Sequence, residues 1–210
     1  MTAGGYAASS RPAPRERSPR ARRIIDTARV LLEAVGVDGL TMRRLADELG
    51  MRAPSLYKHL DGRPALELAL VETGLDETGL ALHAAVQASH GDPVGDLLGA
   101  YRAMGHANPE LYRLITASSF PRAGLLPGLE AWAGEPFFLA VGEPYLAQAL
   151  WSFAHGALIL ELDRRFLDGS DLDQTWHAGT EAFTAARLAT HRTTTARAHA
   201  GPVRSQVRIP

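Results

Sequence analysis

The sequence predicts an all-α fold, with a small N-terminal helical unit and a larger helical unit behind it. Three observations point there. Between the two tails, apolar residues recur at spacings of three and four, the period of one helix face. No stretch alternates apolar and polar over a useful strand length. Gly, Pro and Thr stand where such helices would start or stop.

Residues 1–19 carry Pro12, Pro14 and Pro19 with little apolar surface, so a flexible basic arm is expected. A first helix follows from Arg20 to Val35. Ile24, Ile25, Ala28, Leu31, Leu32 and Val35 share one face of it, and Gly36 is placed to cap it. Thr41 is a good N-cap for a second helix, whose apolar positions are Met42, Leu45, Ala46 and Leu49. Gly50 ends it. A third helix is expected over Ala53 to His59. Pro54 sits in its first turn, where a missing N–H costs nothing, and Leu56 and Leu60 anchor it. Asp61-Gly62 turns the chain into a long fourth helix opening at Pro64. The first unit is thus 20–80, the second 81–190, and 191–210 is expected to be a flexible tail.

In the second unit, Leu146 to Phe166 is apolar almost all round, so that helix must be buried on several sides. Leu146, Ala149, Leu150, Phe153, Ala157 and Leu158 could face one partner, with Trp151, His155 and Leu162 turned elsewhere. A last helix over 172–190 offers Trp176, Phe183, Ala186 and Leu188. Between 120 and 144, four Pro and four Gly interrupt an apolar stretch, which reads as broken helices and loops beside a cavity.

Composition bounds the function. The 210 residues are 46% hydrophobic and 21% charged, enough for a real core. No run reaches the roughly 18 apolar residues of a membrane span. No apolar stretch follows the basic N-terminus, and there is no cysteine, so a cytoplasmic protein without thiolate chemistry is expected. Residues 1–63 hold 12 Arg/Lys against 7 Asp/Glu, and the remainder 10 against 16. One end is therefore suited to an anion. The eight His form no metal-type spacing, and no phosphate loop or nucleophile elbow is present. No enzyme, metal or cofactor is expected.

A short helix, a tight Gly turn and a second short helix make a helix-turn-helix pattern. The second helix is too small to be a core element. Its apolar face only anchors it, and its free face could enter a major groove of about 12 Å width.

From Arg20 to Glu72 the chain resembles the N-terminal DNA-binding domain of the tetracycline-repressor (TetR) family of transcriptional regulators. The matching stretches are "RIIDTARVLLEAVGVDGLT", "RRLADELGM" and "APSLYKHLDGRPAL". Leu60 replaces the family's usual Phe, and Arg63 its usual Lys. The resemblance implies DNA contacts by position. Thr41 would meet a phosphate and Arg43 would read a base. Pro54 and Ser55 would face the groove, Tyr57 and His59 would clamp phosphates, and Lys58 would add charge at the groove wall. Arg63 would meet the backbone at the start of the fourth helix. Ala53 stands where founding members carry a polar base-reader, leaving Arg52 as the candidate substitute. Arg15, Arg17, Arg20, Arg22 and Arg23 are further candidates for phosphate or minor-groove contact.

The second unit is similar to the family's larger domain, and "ALWSFAHGALILEL" with "NPELYRLI" resembles a subgroup named for a Trp-His-Gly pattern, here Trp151, His155 and Gly156. That likeness implies a homodimer through the helices near 146–166 and 172–190, and a small apolar effector. Candidate lining residues are Tyr101, Met104, Tyr112, Phe120, Trp132, Phe138, Trp151 and His155. The expected function is a regulator, a repressor released from a palindromic operator by an effector. A ligand-independent regulator or activator of the same fold is the alternative.

Overall fold

The computed structural model describes residues 10–117 and 120–199, with the backbone alone for residues 191 and 193–199. The described residues form helices α1 (Pro19–Gly39), α2 (Met42–Glu48), α3 (Ala53–Leu56), α4 (Gly62–Gln87) and α5 (Pro93–Ala107), then α6 (Pro109–Thr116), α7 (Leu129–Val141), α8 (Pro144–Leu162) and α9 (Leu172–His199). A single 3₁₀ turn covers Arg122–Gly124, and these residues include no strand. The fold is all-α, with an N-terminal helix-turn-helix and a larger helical domain.

The helix ends follow local chemistry. Ser18 caps α1 by accepting from the Ala21 N–H at 3.2 Å. Thr41 caps α2 by accepting from the Arg44 N–H at 3.2 Å. Gly50, at φ 63°, is the left-handed residue that closes α2: the Met51 N–H reaches back to the Ala46 carbonyl and the Gly50 N–H to that of Asp47. A side chain at Gly50 would be strained by that φ.

Several boundaries differ from those expected. α1 continues past Gly36, which takes φ 71° and kinks the helix, so Gly36 is a bend and not an end. α3 is regular only to Leu56; Tyr57–His59 continue as turns, closed by the His59 and Leu60 N–H groups on the Leu56 carbonyl. α4 begins two residues before Pro64 and runs straight through the expected division at 80/81, so one helix belongs to both units. α8 stops at Leu162 and not at Phe166. Arg164 takes φ 53°, and the Arg165 N–H closes on the Leu160 carbonyl. The stretch 120–144 is irregular to Gly128 and again at Gly142 and Glu143; between them α7 runs unbroken to Val141 with Pro136 inside it. α9 extends to His199, into the expected tail, because no Gly or Pro interrupts it before Gly201-Pro202. Residues 1–9 of the expected arm and 200–210 of the expected tail lie outside the described residues.

Two apolar cores are threaded on α4. The first joins Ile24, Leu32, Leu45 and Leu56 to Leu66 and Leu70, and extends to Leu111, Phe120 and Trp132 of the larger domain. The second gathers Leu82, Leu97, Tyr101, Phe137, Leu150 and Leu158. The face of α8 expected to meet another chain is therefore largely internal: Leu150, Ala157 and Leu158 are buried in their own chain, and Phe153 packs on Trp176 and Phe183.

Polar contacts tie the N-terminal domain to the rest. Glu33 of α1 accepts from the Glu110 N–H at 3.1 Å and the Leu111 N–H at 2.9 Å, satisfying two orphan donors at the start of α6. The segment 10–18 is not a free arm. Arg11 grips Asp76 through two bonds, at 2.8 and 2.7 Å. Arg15 and Arg17 each reach Glu72 at 2.8 Å, and Glu72 also accepts from the Leu126 N–H at 3.0 Å. Glu72 is 6% exposed, so these donors compensate a buried carboxylate that would otherwise be costly.

Candidate nucleic-acid interface and ligand cavity

The expected contact residues gather on α2, α3 and the turn after it. Thr41, Arg43, Arg52, Pro54, Tyr57, Lys58 and His59 are exposed, while Ser55 is half-buried. Leu45, Ala46 and Leu56 beneath them are buried, and Leu49 and Leu60 are packed against the same core. The apolar periodicity therefore turns the polar positions outward. Arg43, Arg52 and Lys58 make no ion pair among the described residues, so their charges are available to an anion.

Five candidates sit differently. Thr41 has its hydroxyl committed to the Arg44 N–H. Ala53 is half-buried against the first core, a packing residue by position. Arg63 bonds Glu67 at 2.7 Å and the Val37 carbonyl at 3.0 Å, so it would have to release one of these to meet a phosphate. Arg15 and Arg17 are held on Glu72, whereas Arg22 and Arg23 are exposed on the first turns of α1.

In the larger domain a cavity of about 590 Å³ lies among α4, α5, α6, α7 and α8. That volume suits a drug-sized molecule. Tyr101, Met104, Tyr112, Phe138, Trp151 and His155 line it as expected. Phe120 and Trp132 do not: both are buried in the first core, Phe120 at 7% and Trp132 at 5% exposure. Leu75, Thr78 and Leu82 of α4 also line the wall, as do Arg122 and Glu130. Sequence reasoning missed them because α4 reads as a plain amphipathic helix until its neighbours are known.

The polar side of the cavity is a chain of hydrogen bonds. The Tyr101 and Tyr112 hydroxyls are 3.0 Å apart, and the Tyr112 hydroxyl lies 2.6 Å from His155 Nδ1. Trp151 stacks near His155, with ring centroids 6.0 Å apart. Burial pushes the Tyr101 phenol up to about 12, against the opposing effect of Tyr112 and Trp151 beside it. Burial, and then Tyr101 beside it, raise Tyr112 as well. Burial lowers His155 below its ordinary value. All three are therefore neutral near pH 7. Arg122 and Glu130, the charged lining residues, pair with each other.

Comparison with known proteins bears on both sites. Residues 24–70 match the family model described as bacterial regulatory proteins, tetR family. An uncharacterized HTH-type transcriptional regulator of Mycobacterium tuberculosis, Rv0681, is 31% identical over 151 residues, covering 66% of this chain and 68% of that protein. The tetracycline repressor protein class A from transposon 1721 of Escherichia coli is 50% identical over 54 residues, which is 26% of this chain and 25% of that one. A solved structure of a Rhodococcus sp. RHA1 protein of unknown function superposes with a TM-score of 0.68 at 26% identity, over 82% of this chain and 97% of the other. A helix-turn-helix with outward cations, a match in register over that segment and a relative shared across both domains lead to one assignment: the chain belongs to the TetR family of non-enzymatic, DNA-binding transcriptional regulators.

Proposed function

We propose that the protein is a homodimeric repressor that leaves a two-fold symmetric operator when a small, mainly apolar effector fills the cavity. The observation that carries this reading is that one helix, α4, serves both sites. Its first turn carries Arg63 beside the recognition elements, and Leu75, Thr78 and Leu82 further along line the cavity. Fifteen residues of helix from Arg63 to Thr78 span about 22 Å. A ligand pressing on α4, or on Tyr112 of α6, acts on elements that Glu33 and the shared core tie to the DNA-binding domain.

In this reading Arg43 and Arg52 read base edges, Pro54 and Ser55 face the groove, and Thr41, Tyr57, Lys58, His59 and Arg63 hold phosphates. The DNA lies in the cytoplasm, and so does the protein. The larger domain is of the Trp-His-Gly type: Trp151 and His155 stand at the cavity wall, which gives that pattern a physical use.

The dimer would form through α8 and α9. Tyr145, Ala149, Ser152 and Leu160 are exposed along one side of α8, with Tyr145 at 74%, and Ala178, Ala182, Ala185 and Leu188 are exposed along α9. Such small and apolar residues permit close helix approach, and two recognition helices must span one DNA turn of about 34–36 Å.

The test is reciprocity. A molecule that raises the melting temperature of the protein should weaken operator binding by a factor equal to that by which operator weakens the molecule. A ligand that stabilises the protein and leaves operator affinity unchanged would favour a ligand-independent regulator. One that tightens operator binding would mean the effector is a co-repressor or activating ligand.

A further inference from the structure

The hydrogen bonds at the cavity specify part of the ligand. The Tyr112 hydroxyl lies between the Tyr101 hydroxyl at 3.0 Å and His155 Nδ1 at 2.6 Å. A length of 2.6 Å is that of a bond with an O–H donor, and a phenol is a stronger donor than a neutral imidazole while an imidazole nitrogen is the stronger acceptor. Tyr112 therefore gives its proton to Nδ1, and Tyr101, 4% exposed, gives its own to the Tyr112 oxygen. A neutral imidazole accepting at Nδ1 carries its proton on Nε2. Two tyrosines thus act in series to fix one tautomer of a histidine that lines the cavity.

Most other polar groups around the cavity are already used. The Thr78 hydroxyl donates to the Gly74 carbonyl at 2.7 Å, and the Thr116 hydroxyl to the Tyr112 carbonyl at 2.8 Å. Arg122 and Glu130 neutralise each other. An ionic ligand would lose its hydration and find no free counter-charge. The His155 Nε2–H, in contrast, makes no hydrogen bond among the described residues.

We propose that the effector is an uncharged, ring-sized apolar molecule bearing a hydrogen-bond acceptor, a carbonyl oxygen, which takes the Nε2–H of His155. The inference rests on the reading of the cavity as the effector site and adds the chemistry of the head group. Carboxylates and amines of similar skeleton are excluded by the lack of a partner charge. A pure hydrocarbon leaves the imidazole donor unsatisfied.

Two experiments test it on the full chain. In ¹⁵N NMR of histidine-labelled protein, with His155 assigned by its loss in His155→Phe, the proton is expected on Nε2 and the acceptor signature on Nδ1. Protonation at Nδ1 instead overturns the proposal and needs no ligand to do so. In calorimetric titration with fluorene, 9-fluorenone and fluorene-9-carboxylate, the ketone is expected to bind about five- to tenfold more tightly than the hydrocarbon, the worth of one net hydrogen bond. The carboxylate is expected to bind least, and His155→Phe to cancel the difference between ketone and hydrocarbon. Equal binding of ketone and hydrocarbon, or preference for the carboxylate, overturns the head-group assignment while leaving the cavity a ligand site. Failure of all three to bind overturns that site as well.

Discussion

His83 donates from Nε2 to the main-chain carbonyl of Trp132 at 3.1 Å, and its ring stacks on the Trp132 indole with centroids 5.0 Å apart. The carbonyl is free because Pro136, four residues on, has no N–H to return to it. A proline that should break α7 is thus accommodated by a side chain from α4. The contact stands where the two cores meet, against Gly79, which leaves room for the indole.

His83→Phe should therefore cost about 1–2 kcal/mol of stability by leaving a buried carbonyl unpaired. In a Pro136→Ala background, where the restored main-chain N–H can bond the carbonyl, the cost should fall by about half or more. Urea denaturation of the four proteins in the cycle measures this. Equal costs in both backgrounds would show that His83 acts through its stacking on Trp132 and its approach to Glu135 at 3.8 Å, and not through this bond.

Glu72 holds the N-terminal segment. Glu72→Gln weakens the bonds from Arg15 and Arg17 and should lower stability by about 1–3 kcal/mol, less than for a fully enclosed pair because Arg15 is half open to water. Limited trypsin digestion should cut after Arg15 or Arg17 several times faster in the variant. Unchanged cleavage would show that the segment is held by other contacts.

On the DNA side, Arg43→Ala should relax preference at one base position per half-site and cost about 1–3 kcal/mol on the preferred sequence. Lys58→Ala should weaken all sequences alike and reduce the salt slope by about one. Binding titrations across salt concentrations separate the two. A uniform loss for Arg43→Ala, or an unchanged slope for Lys58→Ala, would reverse those roles.

Burial lowers His155, so between its unfolded and folded pKa values the unfolded chain binds more protons. Its contribution to stability is present above about pH 6.5 and is lost as pH falls from there through its lowered folded-state pKa. His155→Phe should flatten the decline of melting temperature across that window. Glu161 enters only at lower pH: burial raises it, but the bonds from Arg102 and Trp176 outweigh burial and hold it below the usual carboxylate range. An unaltered decline in His155→Phe would place the titrating group elsewhere.

The elements most legible in the sequence are those set by local chemistry. Thr41 announces a cap, Gly50 the end of a helix, and Leu45 and Leu56 a buried face, and each stands as expected. The errors come from partners distant along the chain. Nothing near Arg15 reveals Glu72, more than fifty residues away. Pro136 reads as a breaker until His83 is brought to the carbonyl it frees. Phe120 and Trp132 look like cavity aromatics by composition, yet the shared core claims them. In the same way the cavity's tyrosines are recognisable as residues, but the order Tyr101, Tyr112, His155 exists only in three dimensions.

The most direct test of the central claim is selection of bound duplexes from a random DNA pool by the purified protein at moderate salt. The account predicts a recovered motif with two-fold symmetry, its half-sites one helical turn apart, and loss of one conserved position per half-site with Arg43→Ala. Recovery of no shared motif, with binding that disappears as salt rises, would reduce the exposed cations of α2 and α3 to non-specific contacts and contradict it.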